Sequence, residues 1–252
     1  MCHSERMSWF TLLLGTLLNS VIITLLSIYT PSEWSLGVAV VIGWQYVLLM
    51  QLVDAILWRK FNQGATSSVQ SHIGCFLNLT QPVIFPVMAG ATTLPDESWR
   101  VWVAFSLLGI WLVWCGINSF RISTFFNVEQ QTCYNKQTLH YQWWNSNEVG
   151  QAFSWAYFAT VVGQLLLLPW WWAGLSLGQI IGSFYATRKA YNCTWPSLWC
   201  WSIFIQGALG GTFAFIDNEI SRIFYILGIT TVSAMGVVFY KKGQYLSLSE
   251  FS

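Results

Sequence analysis

Asp54 is the acidic residue that falls well inside an apolar run, in GWQYVLLMQLVDAILW between Gly43 and Trp58. Helical spacing puts Gln51, Asp54 and Trp58 on one face. A carboxylate among apolar residues is costly unless it is paired, protonated or hydrated, so it is a functional-site candidate by default. The next apolar run opens near His72, and the short connection returns that imidazole to nearly the depth of Asp54. A carboxylate beside an imidazole can relay protons or hold a cation. The plainer alternative is a buried structural pair near the end of the run, with Asp54 turned toward water or Arg59.

The following stretch, GCFLNLTQPVIFPVMAG from Gly74 to Gly90, is apolar yet carries two amides and two prolines. His72, Cys75, Asn78 or Leu79, Pro82 and Pro86 form one stripe at helical spacing. Pro82 cannot donate to the carbonyl of Asn78, nor Pro86 to that of Pro82. Irregular backbone at membrane depth survives only inside protein or along a wet cavity. The spacing therefore predicts a bent helix with this stripe facing inward, and Asn78, Thr80 and Gln81 as donors to the freed carbonyls. Asp54, His72, Gln51, Asn78 and Gln81 make up the candidate polar path. Asn19, Asn118, Gln164, Gln179 and Gln206 add single amides elsewhere, either as interhelical hydrogen bonds or as cavity lining.

The elements that must position these groups follow from composition. Of 252 residues, 55% are hydrophobic and 8% charged, against roughly 25% charged in soluble domains. This predicts an all-α, polytopic integral membrane helix bundle. A spanning helix needs about 20 mostly apolar residues, and eight segments qualify: 8–29, 36–58, 70–93, 99–120, 149–169, 171–187, 196–216 and 218–240. The first is too long for a signal-peptide core, and Thr30-Pro31-Ser32 is a poor cleavage site. The chain reads as a single transmembrane domain over 1–252, its longest loop at 121–148.

With the N-terminus inside, nine of the eleven basic residues fall on the inner side: Arg6, Arg59, Lys60, Arg121, Lys136, Arg188, Lys189, Lys241 and Lys242. Arg100 and Arg222 are outside. This positive-inside bias places both termini in the cytoplasm. Dropping the short sixth span gives seven helices but puts Lys241 and Lys242 outside or breaks the alternation earlier. The Asn192-Cys193-Thr194 sequon falls inside in the eight-span reading, against its use for glycosylation. Trp143, Trp144, Trp170, Trp171, Trp172, Trp199 and Trp201 cluster near predicted span ends, as indoles at the headgroup level do.

Within the longest loop, QQTCYNKQTLHYQWW has the makings of a hairpin. Asn135-Lys136 offers a turn, and Thr138, His140 and Gln142 alternate with Leu139, Tyr141 and Trp143. It reads either as a structured element that gates or docks, or as a plain connector on the membrane surface. Helix six carries Gly174, Gly178, Gly182 and Ala186 on one face, and helix seven Gly207 and Gly211, which predicts a tight hairpin of the two.

Several chemistries find no residues. Each lysine lies at a boundary or in a loop, so no retinal Schiff base is expected. Three histidines (His3, His72, His140) are too few for an intramembrane metallohydrolase of the alkaline ceramidase kind. No GxSxG, HExxH or P-loop occurs. The net charge of +1 argues against nucleic-acid binding. The six cysteines, Cys133 and Cys193 among them, show no CxxC or framework spacing. No cofactor, catalytic residue or metal site is expected.

QLVDAILW (51–58), NLTQP (78–82), TLHYQWW (138–144) and SLWCW (197–201) together resemble a family of uncharacterised multi-spanning membrane proteins found in giant viruses and unicellular eukaryotes. The resemblance implies a polytopic membrane protein and brings no assigned activity. The leading expectation is a small transporter or channel for an ion or solute, with its polar path among helices two to four. The alternative is a non-catalytic membrane subunit or scaffold that packs through glycine-rich and tryptophan-rich faces. A membrane complex with a stoichiometric partner is expected of the scaffold, and a lone monomer or homo-oligomer in the lipid bilayer of the transporter. An intramembrane enzyme ranks third, for want of a nucleophile with a nearby base.

Overall fold

A computed structural model describes residues 4–29, 34–65, 68–92, 95–121, 125–133, 136–142 and 148–168, with Ala173 and Leu177. The described residues are mostly helical. Five of the predicted spans coincide with helical segments. Of the other three, 171–187 is described only at Ala173 and Leu177, and 196–216 and 218–240 lie outside the described residues, as do Gly174, Gly178, Gly182, Gly207, Gly211 and Asn192.

Helix α1 runs Glu5–Tyr29, with Glu5 favourably placed against the positive end of the helix dipole. Helix α2 (Trp34–Asn62) carries Arg59 and Lys60 in its last turn, where cations meet the negative end. It stops at Gly64, whose φ of 68° lies in the left-handed region that glycine enters without strain. There the Gly64 N–H donates to Phe61 O at 3.0 Å and the Ala65 N–H to Lys60 O at 3.0 Å, closing the last turn in a Schellman arrangement. At this end Arg59 Nε donates to Glu5 Oε1 at 2.9 Å, tying α2 to the start of α1.

The third predicted span is divided. Helix α3 covers Ser68–Thr80, a 3-10 turn covers Gln81–Val83, and α4 covers Ile84–Thr92. Proline at the second position of that turn is the cause, because a missing N–H and ring bulk exclude it from an α-helix interior. A second 3-10 turn (Pro95–Glu97) leads into α5 (Trp99–Ser119), and α6 covers Glu148–Leu165. In the turn, Glu97 accepts a 2.8 Å bond from Arg100 Nη2.

Between α5 and α6 the described residues include a β-hairpin. Strand β1 (Val128–Cys133) pairs antiparallel with β2 (Lys136–Tyr141), in a register running from Val128↔Tyr141 to Cys133↔Lys136. Among the described residues, this hairpin is the departure from the expected all-α architecture. The polar-apolar alternation of TLHY is its cause: period two suits a half-buried strand, and Leu139 and Tyr141 are the buried members.

Helix α1 packs on α2, α2 on α3 and α4, α4 on α5, and α5 on α6. Gly43 lets α4 come close, since a Cβ there would stand 3.4 Å from Ile84 Cγ2. The core joins Met50 and Leu57 of α2, Cys75 of α3, Trp111 of α5, and Phe153 and Val161 of α6. Among the described residues, three helical segments are long and apolar enough to cross a membrane: Val41–Asn62, Ser68–Gly90 and Trp99–Ser119.

Candidate functional site

Asp54 sits on α2 about two turns before its end, roughly 12 Å along the axis. Its side chain is fully buried, at 0% exposure. The phenolic O–H of Tyr141, itself buried at the end of β2, donates to Asp54 Oδ1. The carboxylate thus faces a phenol brought from the hairpin.

His72 occupies a different surface. Its ring is exposed, stacks on Phe126 at 4.6 Å and 16°, and places Nδ1 2.6 Å from Ser68 O. The buried face of α3 is Ser71, Gly74, Cys75, Asn78 and Leu79. At about 100° per residue His72 falls on the flank of that face. The expected Asp54–His72 relay is therefore replaced by Asp54–Tyr141, with His72 beside the hairpin's entry.

Gly74 sets the closeness of this junction. A Cβ at that position would lie 3.0 Å from Val53 Cγ1, 3.6 Å from Met50 Cε and 3.7 Å from Tyr141 Cε1. The missing side chain makes room for α2 and for the Tyr141 ring together. Alanine gains helix propensity but forces buried Val53 to shift, so Gly74→Ala is expected to lower stability by a net ~1 kcal/mol. Thermal unfolding in detergent micelles measures it; a stabilised variant would show that the junction is loose.

Gln51, one turn before Asp54, is buried, as are Asn78 and Gln81. Gln81 Oε1 accepts a long 3.4 Å bond from the Tyr157 hydroxyl of α6. Pro82 and Pro86 are also buried, so the broken backbone faces protein. The Ile84 N–H reaches Gln81 O and Pro82 O across the turn. Leu79 O is satisfied from outside the helix, by Trp111 Nε1 at 2.6 Å. Trp111 is held by ring contacts with Trp114, Phe153 and Tyr157. Thr80, expected to donate to freed carbonyls, gives its hydroxyl to Phe76 O and Leu77 O and also bonds the Tyr46 hydroxyl.

The single amides divide. Asn19 donates to Gln45 Oε1 at 3.0 Å, and Gln45 continues to Thr16 Oγ1 at 3.1 Å, a ladder between α1 and α2. Gln164 donates to Ala104 O at 3.0 Å, joining α6 to α5. Asn118 turns back onto Trp114 O of its own helix. Gln179 and Gln206 lie outside the described residues. Tyr141, Trp111 and Tyr157 are the side chains that sequence reasoning did not assign to the site. Only Tyr141 carried a signal, as an apolar member of the alternating TLHY strand.

Among the described residues, no group of three or more His, Cys, Asp or Glu comes together. The site is one carboxyl group with a phenol on it, on a face that also buries amides and a hydroxyl. Such a set offers oxygen ligands and one exchangeable proton, which suits a proton or a small hard cation. No protein-family model, curated protein or solved structure matches this chain. The class that the described residues define is thus a mostly helical protein, with three helical segments of membrane-spanning length and composition among those residues.

Proposed function

We propose that the chain is a multi-pass integral membrane protein, one transmembrane domain of about eight spans with cytoplasmic termini. In this reading it conducts a proton or small cation along a polar path among α2, the divided third span of α3 and α4, and α5. The observation that carries it is Asp54, a fully buried carboxyl group within the membrane-length segment Val41–Asn62. Intramembrane carboxyls are rare because of their cost and mark ion pathways where they occur.

Other features support the reading. Phe76, Trp102, Ile110, Val113 and Leu166 are each more than 60% exposed, as lipid-facing residues are. Arg59 and Lys60 end α2 on the side that the charge bias makes cytoplasmic. Asp54 would hold the ion, Gln51, Asn78 and Gln81 would present amide dipoles along the path, and His72 would stand near the hairpin at the inner end. Proton and Na⁺ flux into proteoliposomes tests this. Wild type is expected to exceed protein-free vesicles, and Asp54→Asn to fall to their level; unchanged flux in the variant would remove Asp54 from any path.

A second reading is a non-catalytic membrane subunit or scaffold. It draws on the complete burial of Asp54 under Tyr141, which also suits a structural clamp. Purification from native membranes separates the two: a stoichiometric partner favours the scaffold, and a lone monomer or homo-oligomer the conductor. No enzymatic activity is proposed.

A further inference from the structure

Among the described residues, identifiable side chains attach the hairpin to the bundle. Leading into it, Phe125 is fully buried, with its ring 4.9 Å from that of Phe153 on α6. Phe126 stacks on His72 of α3. Val128 and Leu139 are buried in the same core, while Glu129 and Gln130 are exposed. Tyr141 makes the contact to Asp54, with its ring in the space that Gly74 leaves open. A two-stranded hairpin has little stability of its own and depends on what it packs against. An element held this way can come away as a unit while the helices stay folded.

We propose that the hairpin is a cap over the polar face of α2 and α3, and that Tyr141 is the positioning residue that closes it on Asp54. The chemistry couples the cap to the ion. The carboxylate oxygen that accepts the phenol O–H is also one that a proton or cation would occupy. An arriving ion therefore competes with Tyr141, and its binding favours the open hairpin by the difference in its affinity for the two states. Closure without an ion keeps the carboxylate hydrogen-bonded rather than bare. His72, stacked on Phe126, places a second contact at the same seam. This inference rests on the conduction reading for its purpose, but the contacts that carry it do not.

The test is amide hydrogen–deuterium exchange on the full chain in lipid nanodiscs. Tyr141→Phe keeps the ring against Gly74 and removes only the O–H. Exchange over 128–133 and 136–141 is expected to quicken by about tenfold, with α5 unchanged. Unchanged hairpin exchange overturns the cap. Equal acceleration in the hairpin and in α2, α3 and α5 also overturns it, because the bond is then a brace of the whole fold. Asp54→Asn keeps an oxygen that can accept the phenol proton, so its hairpin is expected to stay protected while flux is lost. An Asp54→Asn chain with wild-type flux removes the conduction reading yet leaves the exchange result of Tyr141→Phe to decide the cap.

Discussion

Trp111→Ala lowers the stability of the folded chain by about 3 kcal/mol. The indole is 1% exposed and is among the largest fully buried side chains. Removing it opens a cavity beside Trp114, Phe153 and Tyr157 and strips Leu79 O of its donor. In water-soluble proteins such truncations cost roughly 3–5 kcal/mol, part of which is transfer from water. Lipid tails are as apolar as a protein core, so that part falls away and the lower end of the range applies. What survives is lost packing and a Leu79 carbonyl that loses its indole donor beside the proline turn. Chemical unfolding in mixed micelles measures the loss. Trp111→Phe, which keeps most of the packing, is expected to show only the hydrogen-bond share, about 1–3 kcal/mol. A Trp111→Ala chain as stable as wild type would mean that the turn needs no outside donor.

Asp54→Leu has a cost of a different kind. Leucine fills similar space but cannot accept the Tyr141 proton, so a buried phenol O–H loses the acceptor it has in the native structure. Leaving such a donor unsatisfied costs about 1–3 kcal/mol. Adding Tyr141→Phe removes the orphaned hydroxyl, and the double variant is expected to recover most of the loss. Buried polar pairs replaced as a pair by apolar groups are often neutral or stabilising. The measurement is a double-mutant cycle of unfolding free energies, with a coupling of at least ~1 kcal/mol. Additive effects would show that the two side chains do not act on each other. Recovered stability without recovered flux would separate what the pair does for folding from what Asp54 does for conduction.

Much of this was legible in the residues, for physical reasons that can be named. Long apolar runs must be helices, and those over 36–58 and 99–120 match α2 and α5 closely. Pro82 lacks the N–H that a helix interior needs, and a 3-10 turn appears there. Asp54 stood out because a carboxylate among Leu, Val and Ile has to be provided for. Its partner was hidden because Tyr141 is 87 residues away in the chain, beyond any helical or turn periodicity. Proximity in sequence pointed to His72, but rotation about α3 carries that ring off the buried face and onto Phe126. Trp111 was hidden in the same way, since nothing local marks an indole as the donor to a carbonyl 32 residues earlier. The hairpin was visible in the alternation of TLHY, yet its depth depends on Gly74 of another element.

Ion flux through the purified chain, compared between wild type and Asp54→Asn in proteoliposomes of one composition, decides whether the buried carboxyl group conducts. The expected result is proton or Na⁺ flux above protein-free vesicles for wild type, and flux at the vesicle level for the variant. Equal flux in the two, with both chains folded and inserted, would contradict a conducting role for the buried carboxyl group.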